Sequence, residues 1–139
     1  MHFPKTFRGL KDIFIKADPP GPSELEGEYL VDLLTIFPSF KRFSHRKVFH
    51  KENEMMQGHN VLFGKKWGHF FLEEDMCTAL DQKAAAVINY NRKGNSPIIR
   101  GIRDQIRCVN KQELYIGRFN YMLSGRLIFL GYFSLEKIK

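Results

Sequence analysis

Apolar and polar residues alternate with a period of two through residues 84–135, most clearly over Ile98–Val109. This alternation limits the possible folds more strongly than any other pattern in the sequence. Successive side chains of a strand point to opposite faces, so the even positions of this segment share one face and the odd positions the other. The even face carries isoleucines, but it also carries Arg100 and Asp104. Because a buried charge without a partner is costly, the sequence predicts a strand that borders a partly polar interior.

Similar segments fill the chain after residue 25, and short turns join them, Ser124-Gly125 being the tightest. The predicted strands are 28–37, 40–49, a short piece at Met55-Met56, 61–73, 83–90, 98–109, 113–123 and 127–138. Eight to ten antiparallel strands of this kind form a sandwich or an up-and-down β-barrel. Residues 127–133 are apolar on both faces, which favours the barrel, since a lumen covers one face.

The N-terminus predicts a short helix over Pro4–Lys16. Its apolar residues recur at spacings of four, three and four and form one stripe, made of Phe3, Phe7, Leu10 and Phe14. The following Pro- and Gly-rich stretch ends the helix. We therefore predict a single domain over residues 1–139, with the helix and a linker in 1–20 and the barrel in 25–138.

The charge and the cysteines narrow the class of protein. The net charge is +7, and the excess lies after residue 80, but its Lys and Arg residues are spaced singly along strands. A solvated sheet face is therefore expected, and nucleic-acid binding is unlikely. No apolar run approaches the ~20 residues that span a bilayer, and the first residues lack a secretory signal. The two cysteines, Cys77 and Cys108, do not form a disulfide framework, so we expect a cytoplasmic protein.

The last 55 residues carry a set of short motifs that resembles a known family. The motifs are Ile88-Asn89-Tyr90, Asn95-Ser96-Pro97, Ile102-Arg103-Asp104-Gln105-Ile106, Leu114-Tyr115-Ile116-Gly117 and Tyr132-Phe133-Ser134-Leu135. The set resembles uncharacterised bacterial lipocalin-like proteins named for a GXWXXXG motif. Two departures are Gln105 in place of Glu and Tyr29 in place of Trp. The resemblance implies a lipocalin-like, calycin-type barrel and brings no activity with it.

Asp104 is the strongest candidate site residue, because Ile102 and Ile106 flank it on its own face. Arg100 lies on that face too, unless a bulge at Gly101 reverses it. Four residues of strand span about 13 Å, so the two cannot pair directly, and Arg118 or a tyrosine of the adjoining strand is the expected partner of Asp104. A structural role for Asp104 at the barrel end is the alternative.

Other candidate ligand-binding residues are aromatic or imidazole side chains. Tyr90 and Tyr115 offer hydroxyls on apolar bodies. Trp67 and His69 are predicted to share a strand face with Phe71. Histidine can ligate haem iron or a transition metal, but no pair here has ligand spacing, so we expect no metal and no cofactor.

The sequence predicts a binding protein for a small, largely hydrophobic molecule with a polar end, held in the lumen. The alternative is a small barrel enzyme, of the isomerase or cyclase kind, that uses Asp104 or a nearby Tyr or His in acid–base chemistry. Phosphate-loop, nucleophile-elbow and His-Glu-x-x-His motifs are absent from the sequence. A homodimer is expected if the helix leaves the outer face of the last strand uncovered.

Overall fold

The computed structural model describes residues 3–21, 23–35 and 45–138. It contains one α-helix, α1 (Phe7–Lys16). The eight strands are β1 (Gly27–Leu33), β2 (His45–Glu52), β3 (Met55–Leu62), β4 (Lys65–Met76), β5 (Ala84–Asn89), β6 (Ile102–Asn110), β7 (Leu114–Leu123) and β8 (Arg126–Lys137).

The strands form a closed antiparallel up-and-down barrel in chain order, as predicted. β1 closes the barrel by pairing with β8, where Val31 lies opposite Leu135. The two-residue turn between β7 and β8 has positive φ at Ser124 (51°) and Gly125 (76°), the conformation that hairpin turns of this length favour.

The helix begins after Thr6, whose hydroxyl accepts a hydrogen bond from the Gly9 amide at 3.1 Å. Leu10 and Phe14 are completely buried against the outside of the barrel, in a cluster that includes Ile116 and Tyr132. Phe7 is 53% exposed, although its ring still meets the Phe129 ring edge-on. The amphipathic stripe therefore identified the helix and the face that packs, but the helix begins at Phe7 and not at the predicted Pro4, because Thr6 caps it.

Four strand predictions need correction or fall outside the described residues. The predicted short piece at Met55-Met56 is the start of the eight-residue strand β3. The predicted strand 61–73 covers the end of β3 and most of β4, because Phe63 and Gly64 form a turn with φ of 51° and 79°. The predicted strand 98–109 begins only at Ile102, since Ile99–Gly101 is a 3-10 turn. The first part of the predicted strand 40–49 lies in 36–44, outside the described residues.

The outer face of β8 is covered only over part of its length. Tyr132 is buried beneath α1, whereas large apolar side chains near the β7–β8 turn are 37–54% exposed. These are Met122, Leu123, Leu127, Ile128 and Leu130, of which Leu127 lies on the outer face of β8 and Ile128, opposite Tyr121, on the lumen side. The homodimer stays a prediction, which light scattering at micromolar concentration would test. No helix among the described residues is long and apolar enough to cross a membrane.

Candidate functional site

The barrel lumen is apolar along most of its length and polar near one end. We call that end the mouth; it is where β1 ends and β2 begins. Phe49, Phe70 and Phe133 belong to the apolar core and are at most 2% exposed. The polar group, which we call the mouth cluster, consists of His45, Lys47, Asn60, Trp67, Tyr90 and Asp104.

Strand alternation and register place the mouth cluster. Lys47 lies between His45 and Phe49 on the lumen face of β2, and it is directly opposite Asn60 of β3. Asp104 lies between Ile102 and Ile106 on the lumen face of β6, as its flanking isoleucines predicted. Asp104 is 1% exposed and Lys47 3% exposed, so two strands far apart in sequence bring opposite charges together inside the barrel.

Lys47 holds the centre of the cluster. Its Nζ donates to Asn60 Oδ1 at 2.7 Å and to the Tyr90 hydroxyl at 2.6 Å. Asn60 Nδ2 also donates to that hydroxyl, at 2.9 Å, so the Tyr90 oxygen accepts two bonds and retains its own proton to donate. Three ring centroids lie 5.3–5.8 Å from Nζ, those of Phe70, Tyr90 and Phe133.

Asp104 is less well satisfied than Lys47. Its Oδ2 lies 3.7 Å from Lys47 Nζ, an ion-pair distance longer than a hydrogen bond. Its Oδ1 is buried and has no hydrogen-bond partner among the described residues. Burial raises the pKa of Asp104 to about 6 despite the nearby ammonium group. Burial also lowers the pKa of Lys47, while Asp104 opposes that shift. Burial thus disfavours the charged form of both partners, and their mutual attraction opposes that effect.

His45 and Trp67 lie at the outer edge of the cluster. His45 Nε2 is 3.1 Å from Asn60 Oδ1, and since that oxygen accepts, Nε2 carries the proton. Burial, followed by the nearby Lys47 charge, lowers the pKa of His45 to about 4, so the ring is neutral at pH 7. The Trp67 ring stacks on Tyr90 with an interplanar angle of 14°. Its buried Nε1 has no hydrogen-bond partner in the described part of the chain.

Two of the predicted site residues are therefore in the cluster with Asp104, namely Trp67 and Tyr90. Arg100 is not on the lumen face, because it lies in the 3-10 turn and donates to the carbonyls of Lys93 and Asn95, both at 2.9 Å. Tyr115 lines the opposite end of the lumen, where its hydroxyl donates to Glu24 at 2.7 Å.

Arg118 and His69 face the outside of the barrel. Phe119, not Arg118, lies opposite Asp104, and Arg118 instead donates to the Tyr132 hydroxyl at 2.6 Å. The expected partnership of Arg118 with Asp104 was therefore wrong, and Lys47 takes that place. His69 does not share a face with Trp67, because Gly68 has φ of 60° beside an irregularity in the β3–β4 register that reverses the alternation.

Lys47 and Asn60 were missed by sequence reasoning. The signal for Lys47 was present, since it occupies the same face as His45 and Phe49, by the argument that identified Asp104. Asn60 lies beside a glycine and a histidine in a segment that was interpreted as a loop, so its position gave no comparable signal.

A separate cavity of about 100 Å³ lies outside the barrel. It is bordered by Cys77 and Leu80 in the β4–β5 connection and by Arg118 and Phe129 on the outer faces of β7 and β8. Among the described residues, His, Cys, Asp and Glu form no group of three or more that could hold a metal ion.

Comparison with known proteins supports the fold. No family model matches the chain, and no curated protein matches it. A crystal structure of a protein from Thermomonospora curvata is similar, with a TM-score of 0.64 and 16% identity over 96% of this chain and 88% of that one. At this identity the likeness shows a shared fold alone.

Proposed function

We propose that the barrel binds a small, largely apolar molecule at its mouth, with the polar end of the molecule against the mouth cluster. The observation that carries the proposal is a pair of buried polar atoms, Asp104 Oδ1 and Trp67 Nε1, that lack partners among the described residues. One is an acceptor and the other a donor, so a ligand that carries a donor and an acceptor satisfies both.

The energetics favour a ligand at this position. A buried polar group left without a hydrogen bond costs about 1–3 kcal/mol, and a buried charge costs more. Native proteins rarely keep such groups unless a water molecule, an ion or a ligand satisfies them. Unsatisfied groups that cluster beside a buried ion pair are typical of binding sites, where stability is lower in the absence of the ligand.

The surroundings of the mouth cluster suit an apolar body. Leu33, Ile99, Phe119 and Tyr121 are only partly buried where they pack against the lumen core. Deeper in the lumen, large rings such as Phe49 and Phe70 are completely packed. A ligand would therefore lie near the mouth, and its size would be modest. The lipocalin-like relationship proposed from the C-terminal motifs fits this mode of binding, because small barrels of eight strands hold one small ligand.

Native mass spectrometry of the purified protein is the test. We expect a co-purified small molecule on the wild type, and we expect less of it on Asp104→Leu and on Trp67→Phe, each of which removes one of the two unpartnered groups. Asp75→Leu is the matched control, because Asp75 is exposed on β4. Equal occupancy of all four proteins would contradict the proposal, as would wild-type protein that gains no mass after incubation with 2-naphthalenemethanol, an aromatic alcohol that carries both a donor and an acceptor. The cytoplasmic location stays a prediction.

A further inference from the structure

We propose that Lys47 forms a Schiff base with an aldehyde or ketone at the polar end of the bound molecule. This inference rests on the proposed function, because it needs a ligand at the mouth. It adds the chemical class of the ligand, an apolar carbonyl compound, and the atom that attaches it, Lys47 Nζ.

The surroundings of the Lys47 amine favour its neutral, nucleophilic form. Nζ sits on the lumen side of β2, surrounded by the rings of Phe70, Tyr90 and Phe133 at 5.3–5.8 Å. A lysine buried beside such rings loses the hydration that favours its charged form, and the neutral amine is the nucleophile that attacks a carbonyl carbon. Burial lowers the pKa of Lys47 accordingly.

The groups around the Lys47 amine can accept and donate the protons that Schiff-base formation moves. Asp104 Oδ2, 3.7 Å away, can receive the proton that Lys47 must lose, and burial, which raises the pKa of Asp104, makes its carboxylate a stronger base than an exposed one. The Tyr90 hydroxyl, 2.6 Å from Nζ, has a proton to donate to the carbonyl oxygen as charge develops on it. Trp67 Nε1 offers a second donor at the same end of the lumen.

The reaction balances without any further reagent. The neutral amine adds to the carbonyl carbon, the C–N bond forms, and the carbonyl oxygen takes up a proton to give a carbinolamine. Loss of that oxygen as water, with the proton held by Asp104, breaks the C–O bond and leaves a protonated imine. Amine, carboxylic acid and carbonyl compound thus give iminium, carboxylate and water. The iminium keeps one N–H and a positive charge, for which the Asp104 carboxylate is the counterion.

Reductive trapping tests the proposal on the full-length protein. The probe is 2-naphthaldehyde with sodium cyanoborohydride, which reduces the imine to a stable secondary amine, and peptide mapping by mass spectrometry locates the adduct. We expect Lys47 to be labelled at least about tenfold faster than the exposed lysines, because its buried amine adopts the nucleophilic neutral form more readily and lies beside the bound probe. Lys47→Met and Lys47→Arg should both lose the fast adduct, whereas Lys66→Met, which changes an exposed lysine beside the mouth, should keep it.

Binding without chemistry is measured in parallel with 2-naphthalenemethanol, which has the same ring system and no carbonyl group. Native mass spectrometry that shows the alcohol bound while Lys47 labels no faster than Lys66 would overturn the Schiff base and leave the proposed function standing. If neither probe binds and Lys47 is not labelled, both proposals fail. Fast labelling that survives in Lys47→Arg would also overturn the assignment to Lys47.

Discussion

Two basic side chains are buried in this barrel, Lys47 on the lumen face of β2 and Arg107 on the outer face of β6, and their hydrogen-bonding groups are satisfied to very different degrees. Lys47 points into the lumen, where Asp104 lies at 3.7 Å and keeps one oxygen without a partner among the described residues. Arg107 points outward from β6, beneath α1, and is 0% exposed. Its guanidinium binds Asp81 through two parallel bonds of 2.6 and 2.8 Å.

Arg107 has further partners in two segments of the chain, α1 and residues 83–84. It donates to the carbonyls of Phe14, Lys83 and Ala84 at 3.0–3.1 Å, and it lies 4.4 Å from the Phe14 ring centroid. The Asp81 pKa is lowered, with the hydrogen bond from Arg107 as the largest cause. The same residue thus fastens the helix and the β4–β5 connection to the sheet.

The comparison of Arg107 with Lys47 shows two uses of buried charge in this fold. A planar, permanently charged guanidinium with a full set of acceptors connects elements and stabilises them. An ammonium 3.7 Å from a buried carboxylate adds little stability, but it leaves reactive and hydrogen-bonding groups in the lumen.

The largest expected effect is on Arg107. Arg107→Met should lower the free energy of unfolding by about 3–5 kcal/mol, because it leaves Asp81 and three carbonyls without their shared donor. Arg107→Lys should recover only a part, since an ammonium cannot make the same set of bonds. Urea unfolding monitored by circular dichroism measures both, and a loss below about 1 kcal/mol for Arg107→Met would show that the helix is held by its apolar face alone.

Asp104 should give the next effect, and it depends on pH. Its pKa is raised from 3.8 to about 6 on folding, so the folded state holds the proton more tightly than the unfolded state. The stability from this term is fully present below pH 3.8 and is lost as the pH rises through 6. Relative to Asp104→Asn, the wild type should therefore lose up to about 3 kcal/mol between pH 4 and pH 7. A difference that stays constant, or that changes in the opposite direction, would contradict the buried environment assigned to Asp104.

The contribution of His45 to stability should depend on pH in the opposite direction to that of Asp104, and the change should be smaller. Its pKa falls from 6.5 to about 4 on folding, so its contribution is present above pH 6.5 and is lost as the pH falls through 4. Relative to His45→Gln, the wild type should lose about 1–2 kcal/mol between pH 7 and pH 4, a value reduced because the ring is partly exposed at the mouth. Unfolding curves of the two proteins at matched pH measure this, and equal acid sensitivity would show that His45 stays solvated.

Arg46 should show the smallest effect and serves as the surface reference. It follows His45 on β2 and pairs with Glu28 at 2.9 Å, with its side chain 39% exposed. Arg46→Met should change the free energy of unfolding by only about 0.2–1 kcal/mol, because solvent screens an exposed pair. A change as large as that of Arg107→Met would show that solvent exposure does not determine how much each charged pair contributes to the stability of this barrel.

The sequence could predict those features of the fold and the site that follow from strand alternation and turn residues. Alternation and turn chemistry gave the barrel, the lumen position of Asp104 and the Ser124-Gly125 turn. Partners across strands depend on register, which alternation does not encode, so Lys47 was not recognised as the partner of Asp104 and Arg118 was chosen instead. Local backbone irregularities also break the alternation of side chains between the two faces. The positive φ of Gly68 turns His69 to the outside, and the 3-10 turn keeps Arg100 off the lumen face.

The most direct test of the account is the stability of the double variant Lys47→Met/Asp104→Leu at pH 7. Apolar side chains of similar size would replace the lumen pair while Asn60 and Tyr90 keep their mutual hydrogen bond. If the pair is retained for ligand binding and not for stability, the free energy of unfolding should stay the same or rise by up to about 1–4 kcal/mol. A loss of about 3 kcal/mol or more, comparable to that of Arg107→Met, would show that the lumen pair is structural and would contradict the account.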